Sequence, residues 1–164
     1  MDVKKLLRKE LYEAYEELFQ LPANTHVQLT REEIAEAIEN ASNPYLGSPL
    51  LLCVASNLKQ SDFEYAYKSD PVAAALMLAN PKIEFERNLR RVLKLEDEFG
   101  EVLHRVVLSI VRRNQIEPVL ETSLKILTEY KSDVYRTIET VIDEFEHCFD
   151  PITREQLKRL EGRR

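Results

Sequence analysis

Two of the three histidines stand three residues after a glutamate, in Glu101-Val-Leu-His104 and Glu144-Phe-Glu-His147. On a helix this spacing aims both groups to one side, and two such pairs joined by further glutamates are the ligand set of di-metal carboxylate bundles. Glu101, His104, Glu144 and His147 are therefore the candidate metal ligands. Two observations count against them. Glutamate is 22 of the 164 residues, so the coincidence is cheap. On a wheel of about 100° per residue, with Val134, Ile138, Val141, Ile142 and Phe145 as the apolar side, Glu144 lies ~100° and His147 ~160° from its centre. Glu101 likewise falls nearly opposite Leu103, Val106, Val107 and Ile110. No resident metal or cofactor is expected.

Nucleophilic chemistry has no better support. Cys148 follows His147 directly, and neighbours on a helix point about 100° apart rather than at one another. Cys53 sits in the apolar run "LLLCVAS", where a thiol behaves as a small hydrophobe, so both cysteines read as unpaired structural thiols. His26 lies alone in a loop. Glycine-rich phosphate loops, GxSxG and HExxH are all missing. The expectation is a protein that is not an enzyme.

The residues left for function are charged and aromatic. "RNLRRVLK", residues 87 to 94, holds four positive charges in a chain of formal net charge -6. Arg87, Arg90, Arg91 and Lys94 share one arc opposite Phe85, Leu89, Val92 and Leu93, and the same wheel carried past Gly100 adds Arg105 and Arg112. With Arg113, these form a candidate ridge for RNA or DNA backbone, which the tail cations Lys158, Arg159, Arg163 and Arg164 could extend. The plainer reading is a solvated helix face paired with glutamates. Glu96 and the helix-weakening Gly100 predict a kink or tight turn near 96 to 100 rather than one rod. "FEYAYKSD" (63 to 70) places Phe63, Tyr65 and Tyr67 on one short helix, a composition common in protein interfaces.

The elements that must position these groups read as helices throughout. Five prolines follow Ser48, Asp70, Asn80, Glu117 and Asp150, as at helix starts, and Thr30/Glu33, Ser61/Glu64 and Thr153/Gln156 have capping-box spacing. Helices are predicted near 3–20, 31–41, 49–58, 62–68, 71–79, 81–96, 101–114, 118–131, 133–149 and 153–161. Segments 49–58 and 71–79 are apolar nearly all round and should be central. With 44% hydrophobic and 32% charged residues, the expected fold is a compact all-α bundle of eight to ten helices and no sheet, one domain over 1–164. No apolar run approaches the ~20 residues that cross a bilayer, and no secretory signal is apparent, so a soluble, cytoplasmic chain is expected. The function that fits is a helical interaction subunit of a larger, possibly nucleoprotein, assembly. It would act through a protein partner or self-association; direct contact with nucleic acid backbone is the alternative, and a di-metal bundle enzyme the least favoured.

Overall fold

A computed structural model describes residues 2–130 and 134–161; those residues contain helices and two isolated bridges but no strand. The α-helices are α1 (Val3–Leu6), α2 (Leu11–Gln20), α3 (Arg31–Glu39), α4 (Gln60–Ser69), α5 (Pro71–Met77), α6 (Phe85–Leu93), α7 (Glu101–Asn114), α8 (Leu120–Tyr130), α9 (Val134–Phe145) and α10 (Pro151–Glu161). Short 3-10 helices occupy Ser48–Cys53 and Glu146–Cys148. This is a compact all-α fold.

The centre is the crossing of α5 and α7. Every residue from Val72 to Ala79 is buried, as the all-round apolar pattern requires. Ala73, Ala74 and Ala75 bring little side-chain bulk, so α7 approaches closely enough for the Ser109 hydroxyl to donate to the Ala75 carbonyl at 2.7 Å. Eleven of the fourteen residues of α7 are buried, including Arg105, Arg112 and Arg113.

Those arginines close the ends of other helices. The last carbonyls of a helix have no partner within it. Arg112 donates to Leu18, Leu21 and Pro22 carbonyls at the end of α2, with Gln115 adding a bond to Phe19 O. Arg113 donates to the carbonyls of Leu78, Asn80 and Ile83 in the turn that leaves α5, and its Nε reaches Glu117 at 2.7 Å. Asn80, 1% exposed, does the same for the chain after the first 3-10 helix, donating to Leu52 O and Ala55 O.

Several expected boundaries shift. The segment 3–20 breaks between α1 and α2, because Lys9–Leu11 pairs with Tyr45–Gly47: Gly47 N donates to Lys9 O and Leu11 N to Tyr45 O. Only glycine fits there, since a Cβ on Gly47 would stand 2.4 Å from Ala14 Cβ and 2.5 Å from Lys9 O. In place of an α-helix over 49–58 there is a short 3-10 helix, Ser48–Cys53, followed by turns. Asn80-Pro81 starts no helix; Asn80 turns inward, and α6 begins at Phe85 under the Glu84 side chain. The capping box at Thr30 and Glu33 forms, and Asp70 and Asp150 cap α5 and α10. At α4, however, Asp62 accepts from Lys59 N, in place of the expected Ser61/Glu64 pair. Gly100, at φ 70°, makes the turn between α6 and α7.

Replacing Arg113 by Met keeps the apolar stem and strands three buried carbonyls, each worth about 1 kcal/mol or more when left unpaired. Urea unfolding of Arg113→Met is expected to show a loss of about 3 kcal/mol. Arg87→Met, on the exposed side of α6, should stay within about 0.5 kcal/mol of the parent chain.

Candidate functional site

The richest cluster of chemistry-bearing side chains lies where α2, α7 and α9 meet. Phe145, 1% exposed, is its hub. Tyr12 stacks on that ring at 5.3 Å between centroids, Tyr15 meets it edge-on at 5.2 Å, and His104 sits tilted at 5.6 Å. The helical spacing of Tyr12 and Tyr15 puts both on one side of α2, and consecutive His104 and Arg105 bracket the same spot from α7.

A polar chain runs across this hub. The Tyr12 hydroxyl donates to Glu144 Oε1, and Glu144 Oε2 is 3.3 Å from His104 Nε2. His104 Nδ1 is 3.3 Å from Arg105 Nη1. Guanidinium nitrogens only donate, so His104 Nδ1 accepts and its Nε2–H points to Glu144: the imidazole is neutral and both its nitrogens are used. Burial and the neighbouring Arg105 charge hold the His104 pKa below its ordinary value, against the pull of Glu144. The hydrogen bond to Glu144, with burial, raises Tyr12. Burial raises Tyr15 further, and its hydroxyl has no hydrogen-bond partner among the described residues.

Outside this chain a cleft of about 400 Å³ opens between Tyr12, Pro44, Phe99, Glu101, Arg105 and Glu144. Its rim carries unusual apolar exposure. Phe99 is 87% exposed, Tyr45 74%, Tyr12 41% and Leu46 38%. Tyr45 and Leu46 follow the lining Pro44, and their backbone pairs with Glu10 and Leu11 at the start of α2, beside the cleft.

Three of the four expected metal ligands, Glu101, His104 and Glu144, thus border one cleft, while His147 is exposed on the 3-10 turn beyond α9. Among the described residues no group of three or more His, Cys, Asp or Glu side chains is placed to hold a metal ion. One expectation needs correcting at Cys148. Its Sγ lies 3.5 Å from His147 Nε2, although the two residues are consecutive on a 3-10 turn. Burial nonetheless pushes this thiol up to about 11 and Cys53 up to about 12, the reverse of an activated thiolate.

The basic ridge is not a continuous surface. Arg105, Arg112 and Arg113 are inside the protein, their wheel arc covered by α2 and by the turn after α5. Arg90 pairs with Glu129 at 2.8 Å, and Arg91 forms a bidentate pair with Glu64, both bonds 2.6 Å, while lying over the Tyr67 and Phe63 rings. Arg87 and Lys94 are exposed with no ion pair among the described residues. Lys158 and Arg159 are exposed on α10; Arg163 and Arg164 lie outside the described residues. The aromatic trio also divides. Phe63 is core and Tyr67 is half-buried beneath Arg91, so Tyr65, 62% exposed, stands alone.

The cleft's aromatic rim escaped the sequence reading. Tyr45 and Leu46 fell in a loop, Phe99 in a turn, and no periodicity links 12, 45 and 99; an exposed aromatic in each of two loops was the available signal. No family model matches this chain, and neither curated proteins nor solved structures are significantly similar to it.

The neutral, buried His104 sets a sign for acid sensitivity. Its folded pKa is below the ordinary 6.5, so the unfolded chain takes up the proton first and stability falls as pH drops through that value. Glu33 and Glu64, held at about 2 by hydrogen bonds from Lys4 and Arg91, lose their contribution only below the ordinary 4.5. Urea midpoints of the parent chain should therefore decline between about pH 6.5 and 5, and His104→Asn should decline less. Parallel curves would place the acid sensitivity elsewhere.

Proposed function

We propose that this chain is a non-enzymatic interaction subunit that docks a protein partner through the aromatic rim of Tyr12, Tyr45, Leu46 and Phe99. The observation that carries the reading is their convergence. Large apolar side chains scattered singly on a surface need no explanation, but of the six exposed ones among the described residues Tyr12 and Phe99 line one cleft, and Tyr45 and Leu46 follow its lining Pro44 and pair with the start of α2. Aromatic side chains are enriched in interface cores because they bury large area with few rotatable bonds.

The border of the rim suggests the partner's chemistry. Glu10, Glu13, Glu96 and Glu98 are exposed close in sequence to Tyr12 and Phe99, and Asp143 is exposed next to the lining Glu144. A partner segment with apolar anchors and flanking Lys or Arg would complement both the rings and the charge.

Partner capture in the native host tests this. A tagged parent chain and the exposed-aromatic control Tyr65→Ser should recover the same protein, insensitive to nuclease, while Tyr45→Ser with Phe99→Ser loses it by about tenfold. Recovery unaffected by the double change, or a strict monomer with no partner, overturns the reading.

The alternative, contact with RNA or DNA backbone, would need a row of exposed cations, of which Arg87 and Lys94 are left unpaired. Fluorescence anisotropy with labelled RNA and DNA at low salt is accordingly expected to show no binding. Salt-sensitive binding that disappears on Arg90→Glu with Arg91→Glu would restore the nucleic-acid reading.

A further inference from the structure

The three buried arginines of α7 differ in what they hold. Arg112 donates to three carbonyls and to Gln115 Oε1, and Arg113 to three carbonyls and Glu117. Among the described residues Arg105, 6% exposed, makes one hydrogen bond, to His104 Nδ1, and no ion pair. A guanidinium carries five N–H donors, more than this one bond uses. Unlike the other two, Arg105 borders the cleft, where an acceptor can enter.

One helical turn earlier, half-buried Glu101 lines the same cleft. Its carboxylate makes no hydrogen bond or ion pair among the described residues, and it is not paired with Arg105 despite the i, i+4 spacing, because that guanidinium is drawn inward over the Tyr15 ring at 5.8 Å. The third charge, Glu144, is already engaged by Tyr12 and His104. The cleft therefore presents one cation and one anion without an ion pair among the described residues, one helical turn apart on α7, lined also by Tyr12 and Phe99.

We propose that this cleft binds a free α-amino acid with an apolar side chain, its carboxylate on Arg105, its ammonium on Glu101 and its side chain against Tyr12 and Phe99. The charges themselves select the ligand class. A plain carboxylate would meet the carboxylates of Glu101 and Glu144, and a plain amine would leave Arg105 unmet. The ammonium and carboxylate of an amino acid are carried on one carbon, so a single ligand offers a partner to each of two opposite charges one helical turn apart. A polypeptide terminus offers one of the two charges but not both. Volume agrees, since clefts of about 300 to 1,000 Å³ suit small ligands. The site shares Tyr12 and Phe99 with the proposed docking surface, whereas Tyr45 and Leu46 belong to docking alone.

Calorimetry and amide-shift titration of the full chain at neutral pH, with L-leucine, L-methionine and L-phenylalanine up to about 10 mM, test it; a dissociation constant below about 1 mM is expected for at least one. N-acetylation and methyl esterification of that amino acid should each weaken binding by about tenfold or more, the loss of one charge-assisted bond. Glu101→Gln, at the half-exposed start of α7, should weaken the free amino acid similarly and leave the N-acetyl derivative unchanged. Tyr45→Ser should leave amino-acid binding intact, which separates this site from docking. Should Arg105→Lys fail to fold, Glu101→Gln and the two derivatives still decide the matter. Absence of binding by all three amino acids, or binding indifferent to acetylation and to Glu101→Gln, overturns the proposal.

Discussion

The arrangement rests on a constraint at helix ends: α2 and α5 finish inside the protein, where their last carbonyls cannot reach water. A glycine in the left-handed conformation often closes such ends within the local chain. With three glycines in 164 residues, that device is scarce here. Distant donors replace it, Arg112 and Gln115 at α2, Arg113 and Asn80 around α5. Guanidinium suits the task because its planar fork reaches several carbonyls at once and stays charged when desolvated. The charge also opposes the negative end of the helix dipole it meets. Burial does lower the Arg112 pKa, but four acceptors offset much of the desolvation.

This explains which parts of the fold were legible in sequence. Local devices were: Thr30 with Glu33, Asp70 before Pro71 and Asp150 before Pro151 cap helices through bonds spanning two or three residues. The apolar stripes of α2, α6 and α9 pointed inward as their periodicity required. Long-range substitutions of the same bonds were not. The break after α1 depends on Gly47, and the cap of α5 on Arg113, more than thirty residues away in each case. A helical wheel assumes that charge faces water. On α6 that holds; on α7 the charged arc is covered by other helices, and the assumption inverted the meaning of Arg105, Arg112 and Arg113.

The cleft shows the same division. Its two charged ends, Glu101 and Arg105, together with His104, lie on one helix and were visible as candidate groups. Its walls come from Tyr12, Pro44, Phe99 and Phe145, contributed by two loops and two helices. The i, i+3 spacing of Glu101 and His104 drew attention to residues that both line the cleft. His104 bonds Glu144 across to α9 and Arg105 beside it, which uses both ring nitrogens.

Helix direction ties the caps to the cleft. Arg105 reaches Tyr15 and Arg112 reaches residues 18 to 22, so α2 and α7 run in the same sense. Parallel dipoles repel, and Arg112 at the carbonyl end of α2 relieves that repulsion where it is most negative. The opposite ends follow from the same alignment: the first turns of α2 and α7 both open toward the cleft, with Leu11 and Glu101 among its lining. Asp97 satisfies two amides of α7 and Glu10 one of α2, the local response to a partial positive charge. The arginine that caps α2 and the arginine that lines the cleft stand seven residues apart on the same helix.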